Sequence, residues 1–300
     1  MRDTDVPQWW GGLGLPGLID IHTHFLPERM LQRVWAHFDE AGPLIGRPWP
    51  ITYRSDEATR LDQLRRLGLR HFTALTYAHR PGMAADLTDF ALELAATEPD
   101  CVPSATFFPE EGVLEQVQSA LERGARVFKI HAQVGGFDLR EPILDPVWGV
   151  LAEAGIPVVV HVGSGPVPRP GFTGPDKLEG VMRRHPRLTA VVAHLGAPEY
   201  GEFLDLAERY PRVHLDTTMV FTDFFEAAAP SRLSSWHSWP GCPNGLCSAV
   251  TSRTSRTRTP TSWRCWNGSG TRNPAWTTTG CGRSAGSTAS GCWAFSPPGN

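Results

Sequence analysis

The chain has 300 residues, with 28 lysines and arginines against 31 aspartates and glutamates, so its net charge of −3 indicates neither a nucleic-acid nor an anionic-membrane partner. No apolar run is long enough to span a bilayer, and the N-terminal segment MRDTDVPQWWGG lacks the basic-then-apolar order of a signal peptide. We therefore expect a soluble cytoplasmic protein, and the length accommodates one large α/β domain or two ordinary ones.

From Pro16 to about Thr218 the chain alternates apolar, β-branched segments with amphipathic helical segments. The segments predicted as strands are, in order, GLIDIHTH, HFTALTYA, CVPSATFF, RVFKIHA, PVVVHV, LTAVVAHL and RVHLDTT. Glycines such as Gly124 and Gly155 follow helical segments, where they can cap a helix end. Buried strands that alternate with helices indicate a parallel sheet. The predicted fold class is α/β, a (β/α)8 TIM-like barrel of which seven units are visible.

Three of the strand-like segments end in histidine. IDIHTH places His22 and His24 one residue apart, and side chains with that spacing in a strand point to the same side and can reach one metal ion. His161 ends the segment VVVH, and His194 ends AVVAH. A strand edge that carries two histidines by chance would explain the first pair alone. A metal site at the mouth of a β/α barrel explains all of them.

The composition changes after Glu226, because no aspartate, glutamate or lysine follows it. This last part of the chain is rich in Ser, Thr, Gly and Arg, and it holds five of the six cysteines and six of the 11 tryptophans. A native disordered tail is one interpretation, but disordered segments are poor in tryptophan and cysteine. Translation of a GC-rich coding region out of frame is the interpretation that we favour. We therefore predict a barrel in residues 1–229 and an aberrant tail without regular structure in residues 230–300.

A shifted reading of the back-translated tail supports this interpretation. Codons made of each third base and the next two permit LFGSDFPNIPYAYTDQLAVLERLG from Leu246 onward, although each shifted codon allows several residues. That reading contains a buried strand, a turn and amphipathic helices in the order that an eighth βα unit requires. The slip would fall near Ala229 or Pro230, and the chain as written would lack the eighth unit.

With the HxH pair, a strand-four lysine, two later strand-end histidines and the GSDFP of the shifted frame, the chain resembles the amidohydrolase superfamily. It is similar in particular to the amidohydrolase-related branch, which includes aminocarboxymuconate-semialdehyde decarboxylase and the resorcylate-type decarboxylases. The resemblance covers roughly residues 17–226 and implies a barrel with one divalent metal ion, often zinc, at its C-terminal mouth. It implies His22, His24 and His161 as metal ligands. It implies His194 as the catalytic acid/base beside the metal water, or as a further ligand.

The family's strand-eight aspartate, a metal ligand and water-activating base, has no counterpart in the residues as written. In the shifted frame it spans the codons of Val250 and Thr251. Neutral imidazoles suit zinc and leave room for water, whose pKa the metal lowers, but a carboxylate must then accept the proton. Asp216, which ends the seventh strand, could substitute for this acid, but a residue that orients a ligand or caps a turn is our preferred interpretation. Whether the chain as written is an enzyme therefore stays open.

Other residues near the predicted mouth are candidates for substrate binding. Lys129 in VFKIH shares a strand face with His131, and either side chain can point into the mouth. A lysine at this place is a bridging carbamate in binuclear relatives, but contact with a substrate carboxylate or pairing with an acid is our preferred interpretation of Lys129. His79 and Arg80 bind an anionic group or are exposed loop charges. Gly163 begins a loop in which small residues let the backbone approach a ligand, or form a plain turn.

These observations predict a metal-dependent hydrolase of the amidohydrolase-related family, in which a metal-activated water attacks a small carboxylated or cyclic substrate. Two alternatives are open: a non-oxidative decarboxylase (carboxy-lyase) with the same metal site, and an inactive frameshifted product that binds metal only. The expected cofactor is one divalent metal ion, zinc by preference. The expected partner is a small-molecule substrate, without nucleic acid or membrane, and a homodimer is compatible with the sequence.

Overall fold

The computed structural model describes residues 3–12, 14–40, 51 and 53–220, together with the backbone of one two-residue strand further on. The strands are β1 (Leu18–Asp20), β2 (Leu69–Thr73), β3 (Cys101–Val102), β4 (Ser104–Thr106), β5 (Val127–His131), β6 (Val158–His161), β7 (Ala190–Val192), β8 (Val213–Asp216) and β9 (Leu246–Cys247). The α-helices are α1 (Val6–Gly12), α2 (Glu28–Glu40), α3 (Glu57–Arg66), α4 (Ala84–Thr97), α5 (Val113–Glu122), α6 (Ala132–Gly135), α7 (Asp145–Ala154), α8 (Pro175–Arg184) and α9 (Tyr200–Arg209). Short 3₁₀ turns span Asp3–Asp5, Pro142–Leu144 and Ala193–Gly196. Within the described chain, no helix is both long enough and apolar enough to cross a membrane.

The described strands pair in chain order, and every pair is parallel. One sheet has the order β1-β2-β3 and the other runs from β4 to β9. β3 and β4 are two halves of one strand that Pro103 separates, because proline has no N–H for the strand ladder. The carbonyl of Pro103 still accepts a hydrogen bond of 2.8 Å from the N–H of Arg126. With these halves counted as one strand, the seven predicted strands are confirmed.

Helices begin and end at residues whose chemistry favours a helix boundary. The Asp56 side chain accepts a hydrogen bond of 2.7 Å from the N–H of Thr59 and caps the start of α3. Gly155 ends α7 in the left-handed region, at φ +67°, and its N–H bonds back to the carbonyl of Leu151. The glycine cap expected at this position is therefore present.

Alternation along the strands separates an inner face from an outer face. Val127 of β5 and Val159 of β6 belong to a small apolar cluster that collects residues from neighbouring strands. Phe128 and Val160, one residue further along, belong to the larger cluster that the helices cover. Side chains two or four residues beyond the inner valines therefore point into the barrel near the carboxyl ends of the strands. The titratable side chains that share this inner parity are Lys129, His131 and His161.

The first and seventh barrel strands converge at their carboxyl ends. His22, just after β1, has its Nδ1 atom 2.7 Å from Oδ2 of Asp216, the last residue of β8. On its other side β8 pairs with β9 through Leu215 with Leu246 and Asp216 with Cys247. Among the described residues no pairing joins β9 to β1, so the strands curl into a barrel that is not closed.

The short strand β9 departs from the expectation of a tail without regular structure. Its two residues occupy the place next to β8 where an eighth barrel strand would lie, and their codons begin the strand of the shifted frame. The remaining residues of the predicted tail, 230–245 and 248–300, lie outside the described part of the chain. The domain boundary between residues 229 and 230 therefore stays a prediction.

Candidate metal centre

The carboxyl ends of the parallel strands bring the histidines of the sequence prediction to one place. Ring centroids are 5.1 Å apart between His24 and His22, 5.1 Å between His22 and His194, and 5.1 Å between His194 and His161. His131 stacks on His161 with 3.8 Å between centroids, so the series of rings continues across the mouth. The strand-end pattern therefore located a real cluster of imidazoles, whose roles as ligands stay a prediction.

Asp216 lies at the centre of this cluster and is fully buried. Its Oδ2 accepts a hydrogen bond of 2.7 Å from Nδ1 of His22. Its Oδ1 accepts from the backbone N–H of His194 at 2.9 Å and of Thr218 at 3.0 Å. Burial opposes its charge, but His22, His194 and Lys129 together hold the pKa of Asp216 below its ordinary value. Asp216 is therefore an ionised carboxylate that supports the turn after β7 and one imidazole.

The Nδ1 atoms of His24 and His194 face fixed acceptors, as that of His22 does. His24 Nδ1 lies 2.9 Å from the carbonyl oxygen of Leu75, and His194 Nδ1 lies 2.7 Å from that of Thr218. A carbonyl or carboxylate oxygen only accepts, so each Nδ1 carries the proton and each neutral ring keeps a lone pair on Nε2. The ring of His24 is exposed to solvent although protein surrounds it on most sides, as at the floor of a cleft.

His161 and His131 use their nitrogens differently. His161 Nε2 lies 3.1 Å from the carbonyl oxygen of Gly165, so in this ring the lone pair is on Nδ1. His131 Nδ1 accepts a hydrogen bond of 3.2 Å from the N–H of Val134, which leaves the proton on Nε2. His161 therefore presents a lone pair through Nδ1, and His131 has its acceptor nitrogen already in use.

Burial keeps these histidines neutral. Desolvation lowers the pKa of His22, assisted by the positive charge of Lys129. Desolvation and the neighbouring His22 lower the pKa of His194 to about 4. His161 and His131 have pKa values well below the ordinary range, again through burial first. Metal ions bind the neutral imidazole, so this electrostatic environment suits a metal site near neutral pH.

Lys129 and Asp20 complete the buried charges of the mouth. Lys129 Nζ lies 3.2 Å from Nε2 of His22, and burial lowers the pKa of Lys129 to about 8 although Asp216 opposes this. Asp20 Oδ1 accepts from the N–H of His22 at 2.9 Å, and burial raises the pKa of Asp20 to about 7, with Asp216 adding to the rise. The predicted position of Lys129 at the mouth thus agrees with its contacts.

The backbone that carries His194 is strained. His194 has φ +57° and Leu195 has φ +53°, and both lie in the left-handed region that residues with a side chain rarely occupy. The hydrogen bond from the N–H of His194 to Asp216 Oδ1 holds this turn from one side. A left-handed conformation raises the energy of the backbone and persists only where surrounding contacts fix it. Here it places the imidazole of His194 beside His22.

Gly163 is required by protein packing. A Cβ atom at Gly163 would lie 2.5 Å from the carbonyl oxygen of Ala197, in the loop that follows the next strand. Ser164 binds the carboxylate of Glu199 through its hydroxyl and, at 3.0 Å, through its N–H. The loops after β6 and β7 are thus fastened together, and the close approach predicted for this glycine is an approach to the neighbouring loop.

His79 and Arg80, predicted to bind an anionic group, are exposed on the loop after β2. In the described chain neither side chain forms a hydrogen bond or ion pair with a residue of the mouth, and their role stays a prediction. The same loop does contribute Tyr77, whose ring lies 5.9 Å from His24 and 4.9 Å from His131. Sequence reasoning missed Tyr77, because a single tyrosine after a strand carries no spacing signal.

Asp20 was also missed, although a signal existed. It lies two residues before His22, so the spacing that selects His22 and His24 selects Asp20 as well.

The donor set fits one divalent metal ion. Nitrogen and carboxylate atoms of His22, His194 and Asp216 lie within 4.8 Å of one another, the grouping expected of metal ligands. Of the predicted ligands, this grouping of described residues includes His22 but neither His24 nor His161. Three rings offer Nε2 lone pairs in fixed tautomers, and hydrogen bonds from the opposite nitrogens to carboxylate or carbonyl oxygens are typical of metal-binding histidines.

Comparisons with known proteins identify a family and a fold. The sequence profile of the family described as amidohydrolase matches residues 19–242, more than half of the chain. No curated protein gave a match. An uncharacterised TIM-barrel protein, Bb4693 from Bordetella bronchiseptica, is similar in structure at 17% identity, with a TM-score of 0.61 over 79% of this chain and 87% of that one.

Two further solved structures are similar. A protein described as amidohydrolase II, target LpR24, has 18% identity and a TM-score of 0.55 over 79% of this chain and 88% of that one. The 5-carboxyvanillate decarboxylase LigW from Sphingomonas paucimobilis has 14% identity and a TM-score of 0.49 over 79% of this chain and 89% of that one. Bb4693 and amidohydrolase II show the fold alone at these identities, and they confirm the predicted TIM-like barrel.

Proposed function

The chain belongs to the amidohydrolase family, and from this premise we propose that it is a metal-dependent hydrolase acting on a small carboxylated or cyclic substrate. One observation carries the proposal. His22, His24 and His194 each direct Nδ1 to a fixed acceptor and keep Nε2 as a lone-pair donor at the barrel mouth. A purely structural cluster would not need three neighbouring imidazoles in the same tautomer.

The proposed metal ligands are His22 and His24 through Nε2 and His161 through Nδ1, with His194 as acid/base or further ligand. A divalent metal bound there, zinc in our proposal, supplies a Lewis acid that polarises a substrate carbonyl or carboxylate and lowers the pKa of water. The chain's own residues orient and charge the site. Asp216 holds His22, and the ammonium of Lys129 beside it attracts an anionic substrate group. That buried cation is our reason for proposing a carboxylated substrate.

A decarboxylase is the second candidate, and a specific observation favours it. Hydrolysis requires a carboxylate or similar base that accepts a proton from water. Among the described residues of the mouth, Asp216 uses both oxygens in hydrogen bonds and Asp20 binds the N–H of His22. Non-oxidative decarboxylation requires instead a proton donor at the carbon that loses carbon dioxide. The ammonium of Lys129, whose pKa is about 8, is a protonated group at the mouth near neutral pH and can donate this proton. The strand-eight aspartate of the shifted frame would favour hydrolysis.

The third candidate is the frameshifted product that binds metal without turnover. The barrel of the described chain is not closed, which supports this candidate for the polypeptide as written. A cytoplasmic location, a homodimer and binding of His79 and Arg80 to an anionic group also remain proposals.

The test combines metal binding with turnover. Cysteine thiolates are zinc ligands, so the assay uses a chain in which serine replaces the five cysteines beyond residue 240. We expect one zinc ion per chain by calorimetry, lost in His22→Ala and kept in His37→Ala, which changes an exposed histidine on α2. Zinc-loaded protein is then offered lactones and aromatic carboxylates, with acid release and carbon dioxide release measured separately.

The proposed metal site would be contradicted if the chain bound no zinc. It would also be contradicted if His22→Ala and His37→Ala changed zinc binding to the same extent. Zinc binding with carbon dioxide release alone would favour the decarboxylase. Zinc binding without turnover of either class would favour the inactive product.

A further inference from the structure

We propose that Asp216 is the positioning residue of this site, a single carboxylate that fixes the tautomer of His22 and the strained turn that carries His194. The inference deepens the proposed function. It rests on that function for its metal readout, but its tautomer readout is independent of any metal.

The first half of the inference concerns His22. Asp216 is 0% exposed, and its Oδ2 lies 2.7 Å from Nδ1 of His22, which is itself buried. A buried carboxylate at this distance accepts the imidazole proton and excludes the other tautomer, because an unprotonated Nδ1 would face an anion. The lone pair of His22 therefore stays on Nε2, the nitrogen that points toward the mouth beside Lys129.

The second half concerns the turn after β7. Oδ1 of Asp216 accepts from the N–H groups of His194 and Thr218, at 2.9 Å and 3.0 Å. The first of these N–H groups belongs to that turn, where His194 has a left-handed conformation, φ +57°. The second lies two residues after Asp216, in the loop that follows β8. The carbonyl of Thr218 in turn accepts from Nδ1 of His194. One side chain thus joins two histidines from strands that are distant in the sequence.

The three donors that face residue 216 require a carboxylate, and an amide of the same shape cannot accept from all of them. Asparagine has one acceptor oxygen and one NH₂ donor, whereas three donors face Asp216. An asparagine that keeps both backbone hydrogen bonds turns its NH₂ toward Nδ1 of His22. That nitrogen must then accept, and the imidazole proton moves to Nε2. Lys129 opposes this change, because its ammonium donates to an unprotonated Nε2.

The test uses Asp216→Asn, alone and combined with Lys129→Met, and reads the tautomer by heteronuclear NMR of nitrogen-labelled histidine in metal-free protein. The His22 signal is assigned by its loss in His22→Asn. We expect the Nδ1–H form in the unchanged chain, a mixture in Asp216→Asn and the Nε2–H form in the double variant. Asp145→Asn is the matched control, because Asp145 accepts from Nε2 of His185 at 2.9 Å on the protein surface.

Metal affinity gives the second readout. In the background without tail cysteines, we expect Asp216→Asn to weaken zinc binding by about 10- to 100-fold and Asp145→Asn to leave it unchanged. His22 that keeps Nδ1–H in both the single and the double variant would overturn the inference. So would a fall in the unfolding midpoint alone, since that is what a merely structural role produces. If the unchanged chain binds no zinc, but the tautomer of His22 changes as expected in the two variants, the proposed function fails and the positioning role of Asp216 stands.

Discussion

Replacement of Lys129 by methionine should stabilise the metal-free protein. The chain has two lysines, and Lys129 is the one at the mouth, 1% exposed and 3.2 Å from Nε2 of His22. Burial lowers its pKa from 10.5 to about 8 even though Asp216 attracts the ammonium. Methionine has a similar length and no charge, so Lys129→Met removes the unfavourable cation with little change in packing.

The magnitude follows from the pKa. A change from 10.5 to about 8 corresponds to roughly 3 kcal/mol of destabilisation by the buried cation. The lowered pKa means that the folded state binds the proton more weakly, so this penalty is fully present below about pH 8. It disappears as the pH rises from about 8 to 10.5, where the unfolded chain still binds the proton. At about pH 7, Lys129→Met should raise the free energy of unfolding by about 3 kcal/mol, or the melting temperature by about 6–12 °C in a domain of this size.

Urea unfolding of metal-free protein measures this difference. Arg66→Met is the control, because Arg66 pairs with Asp62 on the same helix and both side chains are exposed. Such a pair contributes about 1 kcal/mol or less. Equal or lower stability of Lys129→Met at about pH 7 would refute the reasoning, and so would a difference that does not shrink above about pH 8.

Three further predictions concern packing, thiol reactivity and the reading frame. Gly163→Ala should lower the free energy of unfolding in urea by about 1–3 kcal/mol, because the added Cβ meets the carbonyl of Ala197. Gly171→Ala should be near neutral, because nothing lies within 4 Å of its added Cβ. Equal losses of stability in the two variants would contradict the packing argument. Cys101 is buried, and desolvation raises the pKa of its thiol to about 12. Peptide mapping after alkylation should therefore find Cys101 unmodified in the native protein and modified once urea unfolds the chain. Modification of the native protein at the rate of a free thiol would contradict its burial. Restoring the frame by one or two bases near Ala229 should supply the strand with GSDFP and increase solubility, metal content and turnover; equal solubility and activity of the unrepaired chain would show the frameshift interpretation to be wrong.

Periodicity and strand-end spacing were sufficient to predict the barrel and the cluster of histidines. Each barrel strand is short and apolar, and the rule that alternate residues share a face placed Lys129 and His161 correctly on the inner side. Pro103 divides the third predicted strand into two short strands, which lie where the single strand was predicted. These features depend on residue types and their spacing along the chain, which can be read from the sequence.

Contacts between distant strands could not be predicted in the same way. His22 and Asp216 are 194 positions apart, so the sequence could favour a ligand-orienting or capping role for Asp216 but could not identify His22 as its partner. The tautomer of His24 depends on the carbonyl group of Leu75, which belongs to another loop 51 positions away. Sequence reasoning treated His24 and His161 as equivalent ligands, whereas they present different nitrogens. Such differences arise from the three-dimensional arrangement of backbone groups that every residue possesses.

The most direct test of the metal site is anomalous diffraction at the zinc absorption edge, from crystals of the chain without tail cysteines grown with zinc. We expect one strong peak at the barrel mouth, from a zinc ion bonded to Nε2 of His22 and of His24. A mouth without a peak, or zinc bound only to histidines elsewhere on the surface, would contradict it.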